Sequence, residues 1–207
     1  MNLQIALDRL TRKECLDVLR ETEQFVDWIE VGTGVIKEYG MAIVREIKQA
    51  YPHKTVVADM KTCDAGKHEA AQALEAGADI TTVMAFSADK TIIDTLKVAE
   101  DYGKRIMVDL LGVTEQKRIK DLQALGVDLV SLHFGKDMQS EGQMGTDLFS
   151  LTQGLTGLEV AVAGGINIDT LPGVKEKRPD TVIVGGAITK SDNPYEAARA
   201  MKGLINQ

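Results

Sequence analysis

A chain of 207 residues, 44% hydrophobic and 27% charged, has a globular composition and enough length to close one α/β barrel around a large core. A formal net charge of −7 and 4% aromatic residues exclude the basic, base-stacking surface that nucleic acid requires. No apolar run approaches the roughly 18 residues of a membrane span. Met1-Asn2 runs straight into Leu3-Gln4-Ile5-Ala6-Leu7 without a charged leader, so a cytoplasmic location is expected.

Along the chain, short β-branched runs alternate with segments of helical period. Strands are expected near residues 2–8, 27–31, 54–59, 79–84, 104–109, 127–132, 158–163 and 181–185. Each is expected to lead into a helix of roughly ten to sixteen residues. This pattern predicts an α/β fold, a (β/α)8 TIM barrel, with 1–207 as a single domain. Val26-Asp27, Ala78-Asp79, Val127-Asp128 and Pro179-Asp180 each introduce an apolar run and recur about every 50 residues, or two units. Gly77 and Gly126 precede two of these pairs and suit left-handed helix ends. The four aspartates are assigned turn or cap duty at the N-terminal ends of the strands.

In such barrels the active site forms at the C-terminal strand ends, and here those ends are polar. In chain order they carry Asp8, Glu30, then Asp59 with Lys61 and Asp64, Asp109, His133, Gly164-Gly165 and Gly185-Gly186. Asp59 and Lys61 are two apart and share a strand face. A lone buried ion pair there costs desolvation, which points to completion by a ligand or metal. Glu30 and Asp59 offer hard oxygens suited to Mg²⁺, the alternative being two carboxylates that simply fix Lys61. The glycine pairs read either as tight turns or as backbone that can approach a phosphate closely.

His133 is the only histidine at a strand end and is the acid/base candidate, with His53 placed in a loop and His68 on a helix surface. Cys15 reads as a small apolar residue on a helix. Cys63 lies in the charged segment but has no histidine beside it in sequence to make a reactive thiol.

The pattern Asp59-x-Lys61-x-x-Asp64, with Asp8 and Glu30 before it, resembles the orotidine monophosphate decarboxylase superfamily, and the resemblance covers the whole chain. Within that group, His133-Phe134-Gly135-Lys136-Asp137-Met138-Gln139 is similar to the His-x-Gly-x-Asp-x-Gln pattern of the 3-hexulose-6-phosphate synthases. The sister 3-keto-L-gulonate-6-phosphate decarboxylases typically show glutamate on strand five, arginine three residues after the histidine, and a Gly-Arg pair after strand eight. This chain has Asp109, Lys136 and Gly185-Gly186 there.

The resemblance implies Mg²⁺-dependent aldol addition of formaldehyde to D-ribulose 5-phosphate through an enediolate, giving D-arabino-hex-3-ulose 6-phosphate. Glu30 and Asp59 would hold the metal, Lys61 stabilise the enediolate and His133 act as base. Asp8 and Asp109 would bind substrate hydroxyls and orient Lys61, Lys136 would keep a cation near the substrate, and Gly164, Gly165, Gly185 and Gly186 would anchor the phosphate. Asp64 would reach the partner's site, which implies a homodimer with shared active sites. A phosphosugar-binding barrel without catalysis is disfavoured, because the charged constellation is intact.

Overall fold

The computed structural model describes residues 1–138 and 146–207. Parallel strands close into a barrel in chain order: β1 (Asn2–Leu7), β2 (Trp28–Val31), β3 (Thr55–Thr62), β4 (Ile80–Met84), β5 (Arg105–Asp109), β6 (Leu129–His133), β7 (Glu159–Ala163) and β8 (Thr181–Val184). β8 returns to β1 with Asn2 opposite Thr181 and Ile5 opposite Val184. The expected barrel is present, and β3 continues past Asp59 to Thr62.

The helices are α1 (Arg12–Thr22), α2 (Thr33–Tyr39), α3 (Met41–Ala50), α4 (Gly66–Glu75), α5 (Asp89–Tyr102), α6 (Gln116–Ala124), α7 (Leu171–Glu176), α8 (Gly186–Thr189) and α9 (Pro194–Asn206). α1 shows why such segments fold locally. Thr11 and Glu14 close a capping box at its start, and Cys15, Val18, Leu19 and Thr22 form one buried stripe.

The expectation of one long helix per strand fails at four connections. Gly40, at φ 62°, divides the β2–β3 crossover into α2 and α3. The described part of the β6–β7 connection carries a 3-10 helix at Thr146–Leu151, followed by Gly154 and Gly157 at positive φ. After β7 only the 6 residues of α7 are helical. There Gly164 and Gly165 have positive φ, and the Asn167 side chain turns the chain by accepting from the Asp169 and Thr170 N–H groups. After β8 the 4-residue α8 precedes α9.

Strand alternation sorts the core into two layers. Val56 and Ala58 pack outward against helices, whereas Val57 joins Ile80, Met107, Leu129, Ala161 and Ile183 inside the barrel. The same parity carries Asp59, Asp109 and His133 toward the barrel mouth, above that plug.

At the opposite end the repeated aspartates have a definite use. Asp27, Asp79 and Asp180 accept the backbone N–H of Leu3, Val56 and Val160 at 2.7, 2.9 and 2.8 Å, so each caps the start of the preceding strand. Asp128 pairs with Arg105 instead, at 3.3 Å. Gly77 and Gly126 adopt the expected positive φ, at 100° and 99°. Among the described residues no helix is long and apolar enough to cross a membrane.

Candidate active site

A cavity of about 750 Å³ opens at the C-terminal strand ends. Asp8, Glu30, Asp59, Lys61, Asp109, His133, Lys136, Gly164, Gly165, Gly185 and Gly186 all line it. Asp64 is exposed and does not line the cavity of its own chain. Gln139, the last residue of the His133 pattern, lies outside the described residues.

A bulge in β3 builds the centre of the site. Ala58 pairs with Thr81 but Thr62 pairs with Val83, so three β3 residues stand where β4 has only Thr82. Lys61 takes the left-handed conformation at φ 48°, a conformation costing on the order of 1–3 kcal/mol for a side-chain-bearing residue. Thr82 stabilises the bulge: its Oγ1 accepts from Lys61 N and its hydroxyl donates to Asp59 Oδ1, both at 2.9 Å. The Thr33 hydroxyl reaches Asp59 Oδ2 at 2.7 Å.

Lys61 Nζ then lies 3.0 Å from Asp59 Oδ2 and 2.8 Å from Asp109 Oδ2. Asp109 is shared further, since its Oδ1 accepts from Leu111 N at 2.9 Å and its Oδ2 lies 2.9 Å from His133 Nδ1. A carboxylate at Nδ1 holds the ring proton there. Nε2 has no hydrogen-bond partner among the described residues, and the ring lines the cavity.

Electrostatics follow from this packing. Burial opposes ionisation of Asp109, but His133 and Lys61 outweigh it and bring the carboxyl to about 2. Burial also opposes the charge on Lys61, and Asp59 and Asp109 overcome it, so the ammonium is held above its usual range. Glu30 is raised to about 8, first by burial and then by the negative charge of Asp59. Its Oε2 accepts from Gln4 Nε2 at 2.5 Å.

Asp109 therefore stabilises the fold above its unfolded value near 4, and that contribution disappears as pH falls toward about 2. Its size is on the order of 2 kcal/mol. Urea unfolding of Asp109→Asn between pH 4 and 2 should show a flatter acid loss than the native chain. Equal slopes would contradict this electrostatic account.

One sequence expectation changes. Asp8 does not orient Lys61: its carboxylate accepts from Gly34 N at 3.3 Å and pairs with Arg9 at 3.2 Å. Gly34 admits the carboxylate at the start of α2, where a Cβ would stand 2.8 Å from Asp8 Oδ1. The glycine pairs also divide. A Cβ on Gly164 would stand 2.3 Å from Phe134 O, so packing demands glycine there, whereas on Gly185 it would meet nothing nearer than 3.6 Å. Lys190 lies beside that second pair, its Cδ 3.8 Å from a Cβ built on Gly186.

Sequence reasoning missed Gln4, Thr33, Thr82, Arg9 and Lys190. Gln4 and Thr82 carried a signal, as polar residues within apolar runs at the interior parity of their strands. The exposed cations carried none. Elsewhere the expectations hold: Cys15 is buried on α1, with burial pushing its thiol to about 11, and His53 and His68 are exposed. Cys63 is exposed and outside the cavity.

Among the described residues no three His, Cys, Asp or Glu side chains gather as a metal cluster. Mg²⁺ does not require one, since one or two carboxylates with water and substrate oxygens commonly suffice. Glu30 and Asp59 are hard-oxygen donors on adjacent strands whose mutual repulsion a cation would relieve, and that donor set fits Mg²⁺.

Known proteins share this whole architecture. The chain is 42% identical over 209 residues to the 3-hexulose-6-phosphate synthase of Bacillus subtilis, covering 100% of both. The solved 3-hexulose-6-phosphate synthase from Salmonella typhimurium is 36% identical with a TM-score of 0.97, covering 100% of this chain and 99% of that one. The 3-keto-L-gulonate-6-phosphate decarboxylase from Vibrio cholerae is 29% identical with a TM-score of 0.88, covering 99% and 97%. The orotidine 5'-phosphate decarboxylase / HUMPS family model matches residues 1–201. With its closed barrel and charged mouth, the chain belongs to that family.

Proposed function

We propose that the protein is a 3-hexulose-6-phosphate synthase, a lyase that joins formaldehyde to D-ribulose 5-phosphate and yields D-arabino-hex-3-ulose 6-phosphate. The observation that carries the reading is Asp109, which holds Lys61 Nζ at 2.8 Å and His133 Nδ1 at 2.9 Å on one carboxylate oxygen. A cation and a base are thereby set side by side. Full-length likeness to the Bacillus subtilis synthase supports the substrate assignment.

His133 Nε2 takes the proton from carbon 1 of the ketose. Lys61 faces the negative charge that develops on the enediolate oxygens, already held in place by Asp59 and Asp109. Carbon 1 then bonds to the formaldehyde carbon, and His133 returns its proton to the former aldehyde oxygen. Asp8 offers acceptors for substrate hydroxyls, and Gly164, Gly165, Gly185 and Gly186, with Lys136 and Lys190 lining the same cavity, would hold the phosphate. When bound by Glu30 and Asp59, Mg²⁺ would supply a Lewis acid for the substrate oxygens.

The deciding assay incubates the protein with Mg²⁺, ribulose 5-phosphate and formaldehyde, and separately with 3-keto-L-gulonate 6-phosphate. Formaldehyde consumption with little CO₂ from the second mixture is expected. The reverse pattern would assign the chain to the decarboxylases. EDTA should abolish turnover and added Mg²⁺ restore it, so full activity in EDTA sinks the metal assignment.

The exposed position of Asp64 supports a homodimer with shared sites. Mixing unfolded Asp64→Asn and His133→Ala chains and refolding them together should recover about a quarter of native activity, since half the dimers carry one intact site of two. No recovery, or an active monomer, would rule out sharing. The closed β8–β1 pairing supports reading 1–207 as one domain, and a cytoplasmic location belongs to the same reading.

A further inference from the structure

Gln4 is fully buried on β1, in register with Trp28 of β2 and Ile183 of β8. It is thus a carboxamide placed beside the apolar plug that fills the barrel. Such a group needs partners for its donors and its acceptor, because water does not reach it. Its Nε2 donates to Glu30 Oε2 at 2.5 Å, while its Oε1 has no hydrogen-bond partner among the described residues.

An apolar side chain of similar volume, such as methionine, would avoid that orphaned oxygen. Packing therefore does not explain glutamine here, and the bond to Glu30 remains as its use. Among the described residues no donor reaches Glu30 Oε1, and Glu30 lines the cavity.

We propose that Gln4 is a positioning residue that pins one oxygen of Glu30 so that the other is presented to the divalent cation of the pocket. This rests on the reading of Glu30 and Asp59 as cation ligands. Glutamate has three rotatable side-chain bonds, and an unpinned carboxylate spreads over rotamers that do not point at the site. Loss of such an outer hydrogen bond typically weakens metal binding 10–100-fold.

The test measures Mn²⁺ binding by the electron paramagnetic resonance of free Mn²⁺ in the native protein, Gln4→Met and Glu30→Gln. Gln4→Met should raise the Mn²⁺ Kd about 10–100-fold. Its Tm should stay within about 3 °C of native, and kcat should return when Mg²⁺ is raised in proportion. A purely structural glutamine would lower Tm and leave Kd unchanged, which overturns the proposal.

Native protein that binds Mn²⁺ no better than Glu30→Gln overturns the metal reading itself, and this proposal with it. Should Gln4→Met not fold, Gln4→Asn serves the same comparison. It keeps the amide but falls one methylene, about 1.5 Å, short of Glu30.

Discussion

Lys61→Met should lower kcat about 10³-fold while leaving a folded protein. Removing one preorganised donor from a developing oxyanion typically costs 10²–10³ in rate, and here the donor also carries full charge. Methionine keeps the length of the side chain and most of its contacts. The variant leaves Asp59 and Asp109 facing each other without a cation, but Thr33, Thr82, Leu111 and His133 still satisfy them. Lys61→Arg should not rescue, because a planar fork cannot occupy the position of a point charge lying 3.0 and 2.8 Å from two carboxylates. Formaldehyde consumption at saturating substrate measures the effect. Activity within tenfold of native would remove Lys61 from the enediolate step.

His133→Ala should be nearly as severe, with turnover falling 10²–10⁴-fold. Its distinguishing signature is loss of carbon 1 proton exchange from ribulose 5-phosphate in deuterium oxide, measured without formaldehyde. That readout isolates proton removal from carbon–carbon bond formation. Asp109 keeps Lys61 as its partner in this variant, so the fold is expected to persist. Unchanged exchange would mean that another group is the base. Because Lys61 and His133 meet on Asp109, the double variant should lose far less than the product of the two single losses.

The barrel was legible because its two signals are local. The short apolar run Thr55-Val56-Val57-Ala58 marks a strand, and the Val-Asp and Gly-x-Asp steps mark where strands begin. Position at the C-terminal ends of the expected strands then placed Asp59, Asp109 and His133 together without knowledge of any contact. The helices were less legible. Gly40 at positive φ splits one helical pattern in two, and after β7 the Gly164-Gly165 turn and the Asn167 side chain, accepting from Asp169 N, take up residues that read as helix.

By itself the sequence determined the eightfold alternation, the charged strand ends and the resemblance carried by Asp59, Lys61 and Asp64. Tertiary structure alone decided who holds whom. A register shift depends on the neighbouring strand, so the β3 bulge that aims Lys61 has no signature in period-two alternation. Both Asp8 and Asp109 were expected to orient Lys61, and only the folded contacts separate them: Asp109 meets Lys61 Nζ, whereas Asp8 meets Gly34 N and Arg9. Gln4 is one polar residue in an apolar strand, and only the pairing of β1 with β2 sets it against Glu30. Bonds between residues 26 and 48 positions apart in sequence exist only once the chain has closed on itself.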